Sequence, residues 1–371
     1  MAEFDFDLHG LFRLRLTNAT QREAAMITRQ LGPIAAPLSG EPDLVIRFVD
    51  QIPTTGDLRY IGLNDSAYTS DGFLVLKGKH KSNIKVQIPF ESIGQQAEMV
   101  CERGVSSIPY LIAFLNMTLL SKGVLPLHAS AFTYQGKGAL ITGWAKGGKT
   151  EILLAFMSRG ASYVGDEWIY LCPDEPTMFG VPEPIRVWNW HLDSLPHYRA
   201  RLKRKEQFKL RSLETVSRSM DRLSGSSGKR VSAPAKLLRR VNPIVKRQLY
   251  THFAPHALFG EDHIRETAAV DKVIFTASHQ SDDIVVSPYD ADEIARRMVF
   301  SLAEEQLGFT SQYLKYRFAF PEKQNYWMEN AGSIQSELLS KALRGKDAIS
   351  VLHPYPVHIP ALYDALHPYF A

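Results

Sequence analysis

The chain has 371 residues, 45% of them hydrophobic, and its 43 Lys and Arg against 39 Asp and Glu leave a formal charge of +4. This is enough apolar material to bury a large core and suggests two or three domains, while the longest apolar run, residues 108–120 (IPYLIAFLNMTLL) with Asn116 inside it, is too short to span a membrane. The two cysteines, Cys101 and Cys172, have neither metal nor redox spacing, and the opening MAEFDFDLHG is acidic rather than signal-like, which together set the expectation of a cytoplasmic enzyme.

A helix is predicted around residues 20–31, and short strands over 43–49 (DLVIRFV), 58–63 (LRYIGL), 72–77 (GFLVLK) and 83–89 (NIKVQIP), separated by Gly, Asn, Asp and Ser. Residues 1–105 are therefore expected to form a small mixed α/β domain that recognises substrate or braces the rest. A helix over 107–121, stopped by Gly123, leads out of it.

Residues 139–142 (ALIT) read as a buried strand, and Ile152, Leu153, Phe156 and Met157 recur at helical spacing. Between them lies GWAKGGKTE, in which Gly143, Gly148, Lys149 and Thr150 satisfy the phosphate-loop pattern G-x-x-x-x-G-K-[ST]. The glycines let backbone amides converge on one anion, and the helix that follows presents its positive end to the same point. Gly143, Trp144, Ala145, Lys146, Gly147, Gly148, Lys149, Thr150 and Glu151 are thus the expected nucleotide contacts, with Lys149 on the β and γ phosphates of ATP and the Thr150 hydroxyl on Mg2+. Asp166 and Glu167 follow inside a strand-like run, residues 161–170 (ASYVGDEWIY). Neighbours on a strand face opposite ways, so both acids reach one site only if the strand ends or bulges there, which Gly165 permits.

Over residues 124–170 the run LHAS (127–130), YQGKG (134–138), the phosphate loop, Arg159-Gly160 and VGDE (164–167) resembles the catalytic core of the HPr kinase/phosphorylases and their kinase relatives. The resemblance implies a phosphoenolpyruvate-carboxykinase-like P-loop fold of the α/β (α+β) class and transfer of phosphate from ATP to a serine hydroxyl. It gives Lys149 to the phosphates, Thr150 to Mg2+, and base and metal duties to Asp166 and Glu167 between them, with Asp166 the first choice of base. His128 falls where the family has a histidine that touches the γ-phosphate or the acids. The second acid is Glu rather than Asp, and residues 180–188 (GVPEPIRVW) stand in place of the glycine-rich signature of true HPr kinases. That segment looks more like the peptide and protein kinase relatives, with Glu183 a further metal contact and Arg186 a transition-state charge. The family's hexamers leave a homo-oligomer open.

From 199 to 247 the chain carries 16 Lys and Arg against three acids, Glu206, Glu214 and Asp221. Residues 224–230 (SGSSGKR) have the composition of a flexible linker, with basic helices on either side. A clamp for an acidic peptide or protein, a nucleic-acid surface and a solvated arm are the three readings, and Phe208 as the sole aromatic counts against base stacking.

Further on, a strand is predicted at 272–276 (KVIFT), a helix from Asp290 toward Gln306, a helix from about 333 to 343, a strand at 349–352 and a helix at 360–366. Tyr313, Tyr316, Phe318 and Phe320 are expected to pack in the core, and LHPYP (352–356) receives no chemistry. The expected organisation is 1–105, a kinase core from 106 to 198, a basic and partly flexible insert from 199 to 260, and the remaining core with C-terminal helices from 261 to 371. The expected activity is an ATP- and Mg2+-dependent kinase acting on a serine of a peptide or protein. A sugar or nucleoside kinase is the alternative within enzymes, and a non-catalytic ATP-binding or nucleic-acid-associated module the alternative outside them.

Overall fold

The computed structural model describes residues 2–53, 58–61, 66–75, 85–224 and 248–370. The linker-like segment beyond Ser224 and most of the second basic stretch lie outside these residues, as do parts of the strands expected at 58–63, 72–77 and 83–89. The fold is mixed α/β, and no helix among the described residues is long and apolar enough to cross a membrane.

The N-terminal part builds one eight-stranded sheet from Ala2–Leu8 (β1), Phe12–Ala19 (β2), Leu44–Val49 (β3), Arg59–Tyr60 (β4), Ser66–Thr69 (β5), Gly72–Val75 (β6), Val86–Ile88 (β7) and Ala97–Glu102 (β8), in the order β1-β2-β3-β8-β7-β6-β5-β4. The β1–β2 hairpin is not among the expected elements, although Phe4, Phe6 and Leu8 alternate with Asp5 and Asp7 as a half-buried strand requires. Helix α1, Gln21–Leu31, is the crossover that lets β3 run parallel to β2. At its start the Thr20 amide donates to Glu23 Oε2 at 2.7 Å.

Helix α2, Leu111–Ser121, is buried on nearly all sides, and its Asn116 accepts the Tyr170 hydroxyl at 3.0 Å. A polar atom in an apolar helix is thereby satisfied rather than stranded.

The second large sheet positions the site. Its strands come from Ser130–Tyr134 (β10), Lys137–Gly143 (β11), Ser162–Gly165 (β12), Lys272–Ser278 (β18), Val285–Pro288 (β19) and Asp347–His353 (β20), in the order β12-β10-β11-β18-β20-β19. Strands β11, β18 and β20 are mutually parallel, and β12, antiparallel to β10, points the same way as β11. Gly143, Gly165, Thr276 and His353 consequently share one edge of the sheet. In open α/β sheets that carboxyl edge is where ligands bind. A four-stranded antiparallel sheet of Leu125–His128 (β9), Trp168–Cys172 (β13), Thr177–Gly180 (β14) and Thr267–Ala269 (β17) stands beside it, and Ile185–Trp188 (β15) pairs with Tyr250–Phe253 (β16) in a separate ribbon.

Helix α3, Lys149–Met157, packs Ile152, Leu153 and Phe156 into a core shared with Phe132, Ile274, Ile349 and Phe370. After α4 (Asn189–Ser194) and α5 (Pro196–Ala200), the predicted basic helix is present as α6, Arg204–Ser224. Leu202 and Leu210 are buried in the same core as α3, so this end of the basic segment is anchored. The short α7, Pro255–Phe259, buries Leu258 and Phe259 there too.

Helix α8 starts at Ala291, capped by Asp290 Oδ1 accepting from the Asp292 amide at 2.9 Å, but runs to Ala319 instead of ending near Gln306. Helix α9, Tyr326–Leu343, begins well before residue 333, with Asn325 Oδ1 accepting from the Met328 amide at 3.0 Å. The chain closes with α10, Ile359–Leu366. Phe90 meets Phe309, Tyr313 and Tyr316 with ring centroids 5.2 to 5.5 Å apart, which joins the N-terminal sheet to α8. Of the four aromatics expected in the core, Tyr313, Tyr316 and Phe320 are buried, but Phe318 is 79% exposed. Two residues from both Tyr316 and Phe320, it is turned to the far side of the helix.

Candidate functional site

The loop between β11 and α3 has the backbone that its glycines foretell. Gly143 has φ 150°, Lys146 63° and Gly148 103°. At Gly148 a side chain is excluded twice, by the positive φ and because a Cβ would lie 2.0 Å from His353 Nε2. The Gly147 amide donates to Trp144 O at 3.0 Å, and the Gly147 carbonyl accepts from Thr276 Oγ1 at 2.8 Å and from His353 Nε2 at 2.9 Å. The loop is therefore braced from beneath by β18 and β20. His353 belongs to the LHPYP run, so that motif contributes by positioning. Among the described residues no side chain caps the α3 N-terminus, which leaves its first amides directed at the space above the loop.

Lys149 is only 7% exposed, and its ammonium donates to Gly143 O at 3.3 Å and Trp144 O at 3.1 Å. Burial lowers its pKa, against the opposing pull of Glu167, Asp166, Glu305 and Glu151. A cation held by two carbonyls among four carboxylates is poised to exchange those carbonyls for phosphate oxygens.

The acidic pair departs from a strand's alternation. β12 stops at Gly165, β13 starts at Trp168, and Glu167 takes φ 70°, so both carboxyl groups line the same cavity. Asp166, 2% exposed, accepts hydrogen bonds from the Ser130 hydroxyl and from Thr150 Oγ1 at 3.1 Å. Burial, reinforced by the neighbouring Glu167 charge, raises its pKa to about 7. Glu167, its side chain 43% exposed, is instead held low, chiefly by His128, whose Nε2 lies 3.1 Å from Glu167 Oε2. The two adjacent acids are thus driven apart in proton affinity by their surroundings.

His128 sits at the end of β9 with its other ring nitrogen 2.6 Å from Glu305 Oε1, a close ionic contact not aligned as a hydrogen bond. Burial disfavours the imidazolium, but Glu167 and Glu305 outweigh it and raise the His128 pKa. Glu305, delivered by α8, is absent from the expected site. Nothing in its local sequence sets it apart from Glu304, and only the helix's path over β9 brings it to His128.

The cavity, 390 Å3, is lined on its other walls by Ala145, Lys146, Gly148, Arg186, Trp188, His191 and Tyr355. Arg186 lies opposite His252 in the β15–β16 ribbon, its guanidinium 5.1 Å from the Tyr250 ring centroid. Glu151 also lines the cavity, but its carboxylate is already engaged by His191 Nε2 at 3.0 Å. His191 Nδ1 accepts the Trp188 amide at 3.3 Å, which places the ring proton on Nε2, facing Glu151. The Glu151 side chain therefore braces the start of α3 against α4.

Of the remaining expected contacts, Trp144 is 51% exposed, and neither it, Gly143 nor Gly147 is part of the cavity lining. Glu183 is not part of it either. Its Oε1 has no hydrogen-bond partner among the described residues, and burial, with Glu167 and Asp166 adding to it, pushes its pKa well above the usual carboxylate range.

Among the described residues no group of three or more His, Cys, Asp and Glu is placed to hold a metal. The Thr150 hydroxyl and Asp166 do supply adjacent hard oxygens on the cavity wall. This suits Mg2+, which takes one or two protein oxygens and fills its shell with water and phosphate. No protein-family model matches this chain, and no curated protein matches it in sequence.

Proposed function

We propose that the chain is an ATP-dependent kinase that transfers the γ-phosphate to a hydroxyl, the acceptor being a serine of a peptide or protein. The observation that carries this reading is the meeting of a glycine-built anion cradle and its lysine with a buried carboxyl whose pKa is about 7, in one cavity. A loop alone would argue for nucleotide binding; a carboxyl that changes charge near neutrality, beside the cradle, adds a group able to take a hydroxyl proton.

In this mechanism the loop amides and the Lys149 ammonium hold the phosphates and stabilise the charge that spreads over them in the transition state. Thr150 Oγ1 and an oxygen of Asp166 or Glu167 would hold Mg2+, which when bound would neutralise phosphate charge. Asp166 accepts the proton of the attacking hydroxyl, and the Ser130 and Thr150 hydroxyls keep its carboxylate oriented. His128, pinned by Glu305, fixes Glu167. Arg186, exposed beside His252 at the rim, offers positive charge to an acceptor with acidic neighbours, which favours a peptide or protein over a neutral sugar.

Incubation with γ-labelled ATP, Mg2+, a panel of serine peptides and a panel of sugars and nucleosides tests the proposal. Label is expected on peptide serine, and Lys149→Ala is expected to reduce transfer at least a hundredfold. Full transfer by Lys149→Ala would remove the site from the mechanism, and label confined to the small alcohols would overturn the peptide acceptor.

A further inference from the structure

The outward face of α8 lacks the polar composition usual for an exposed helix. Phe300 is 70% exposed, Leu307 56%, Leu314 63% and Phe318 79%, while Ile294, Met298, Leu302, Phe309, Tyr313 and Tyr316 are buried on the other side. Steps of seven, seven and four residues return to nearly the same angle on a helix of about 3.6 residues per turn, so the four side chains form one stripe about 27 Å long. At roughly 200 Å2 for a large side chain, the stripe leaves on the order of 500 Å2 of apolar surface in water, the scale at which a patch is often functional. Two such faces together cover about 1,000 Å2, where specific interfaces begin.

We propose that this stripe is the seam of a homodimer in which α8 pairs antiparallel with α8 of a second copy. Phe300, Glu304, Leu307, Ser311, Leu314 and Phe318 follow the alternating four-and-three spacing of a coiled-coil seam. That spacing is symmetric about position 309. Reversing one helix against the other sets Phe300 against Phe318, Glu304 against Leu314 and Leu307 beside Ser311, each contact occurring twice, as an isologous two-fold interface requires. In the same register Glu304 comes level with Lys315 of the second copy on one flank. On the other flank Ala303 and Thr310 are small enough for the helices to approach. A parallel pair would instead set Glu304 against Glu304 in the seam, a like-charge contact. The second copy is favoured over an unrelated partner because one face supplies both halves of this match.

Sedimentation equilibrium of the full chain is the direct test. The expected species has twice the 41.8 kDa chain mass, and Leu307→Glu combined with Leu314→Glu is expected to weaken association at least a hundredfold. Circular dichroism and thermal melting check that this variant, altered only at exposed positions, keeps its fold. For the register, the double variant Leu307→Cys with Ser311→Cys is expected to form a covalent dimer on mild oxidation, and Leu307→Cys alone to remain uncrosslinked. A chain that is monomeric at about 50 μM, a dimer indifferent to the two glutamates, or crosslinking through Leu307→Cys alone would each overturn the proposal.

Discussion

Replacing Asp166 by asparagine tests the electrostatic design of the site through stability, independently of any acceptor. Asp166 moves from an ordinary 3.8 to about 7 on folding, chiefly because it is buried. Each unit is worth about 1.4 kcal/mol, so the ionised carboxylate costs the folded protein up to about 4 kcal/mol. The sign follows from linkage. A carboxyl whose pKa is raised by folding binds its proton more tightly in the native state, so its stabilisation is complete below about pH 3.8. It is lost as pH rises to about 7, after which the cost stays constant. The substituted amide would never ionise, and the Ser130 and Thr150 hydroxyls can turn to meet it, one donating and one accepting. Urea unfolding of the nucleotide-free protein should therefore find Asp166→Asn nearly equal to wild type at pH 4, and more stable by about 2 to 4 kcal/mol at pH 8. Equal stability at pH 8, or a gain independent of pH, would show that Asp166 is not a strained carboxylate. In parallel, transfer should fall by about 10² to 10⁴, the usual worth of a general base, and the wild-type rate should climb with pH to a plateau above about 7.

His128→Gln should cost about 1 to 2 kcal/mol at pH 5.5 and less at pH 9 in the same unfolding assay. The raised histidine pKa gives stabilisation that is complete below its unfolded value and lost as pH rises through the folded one. A cost that does not vary with pH would mean the pairing with Glu167 and Glu305 is not ionic. His191→Ala strands the buried Glu151 carboxylate and should destabilise by about 3 to 5 kcal/mol, most of it recovered by adding Glu151→Gln; no recovery would point to lost packing instead. Thr276→Val removes one of two donors to the Gly147 carbonyl, so calorimetric titration should find ATP affinity reduced several-fold with a stability loss of about 1 kcal/mol. Unchanged affinity would mean that His353 alone holds the loop.

The elements that can be read from the chain are those whose cause is local. The β11 run, the loop glycines and the apolar face of α3 lie within about 20 consecutive residues, and each obeys its own periodicity or turn chemistry. The N-terminal hairpin is written in the alternation of Phe4, Phe6 and Leu8 with Asp5 and Asp7, but one short alternation does not name the strand it pairs with. The length of α8 escapes the sequence for a different reason. Its second half packs Phe309, Tyr313 and Tyr316 against Phe90 of the N-terminal unit, and that burial carries the helix beyond the point where its local pattern fades.

From the sequence by itself came the loop, the lysine and threonine that end it, and the neighbouring acids, because glycine geometry and adjacency along the chain are written in consecutive residues; the histidine at 128 came only from the resemblance to a known family. The tertiary structure alone decided which way the acids face, what sets their proton affinities, and what holds the loop in place. Ser130 meets Asp166 from 36 residues away, Thr276 and His353 reach the Gly147 carbonyl across 129 and 206, and Glu305 arrives on a helix from another part of the fold. Strand order and helix packing bring such groups together, and a side chain's identity does not name the partner it will meet.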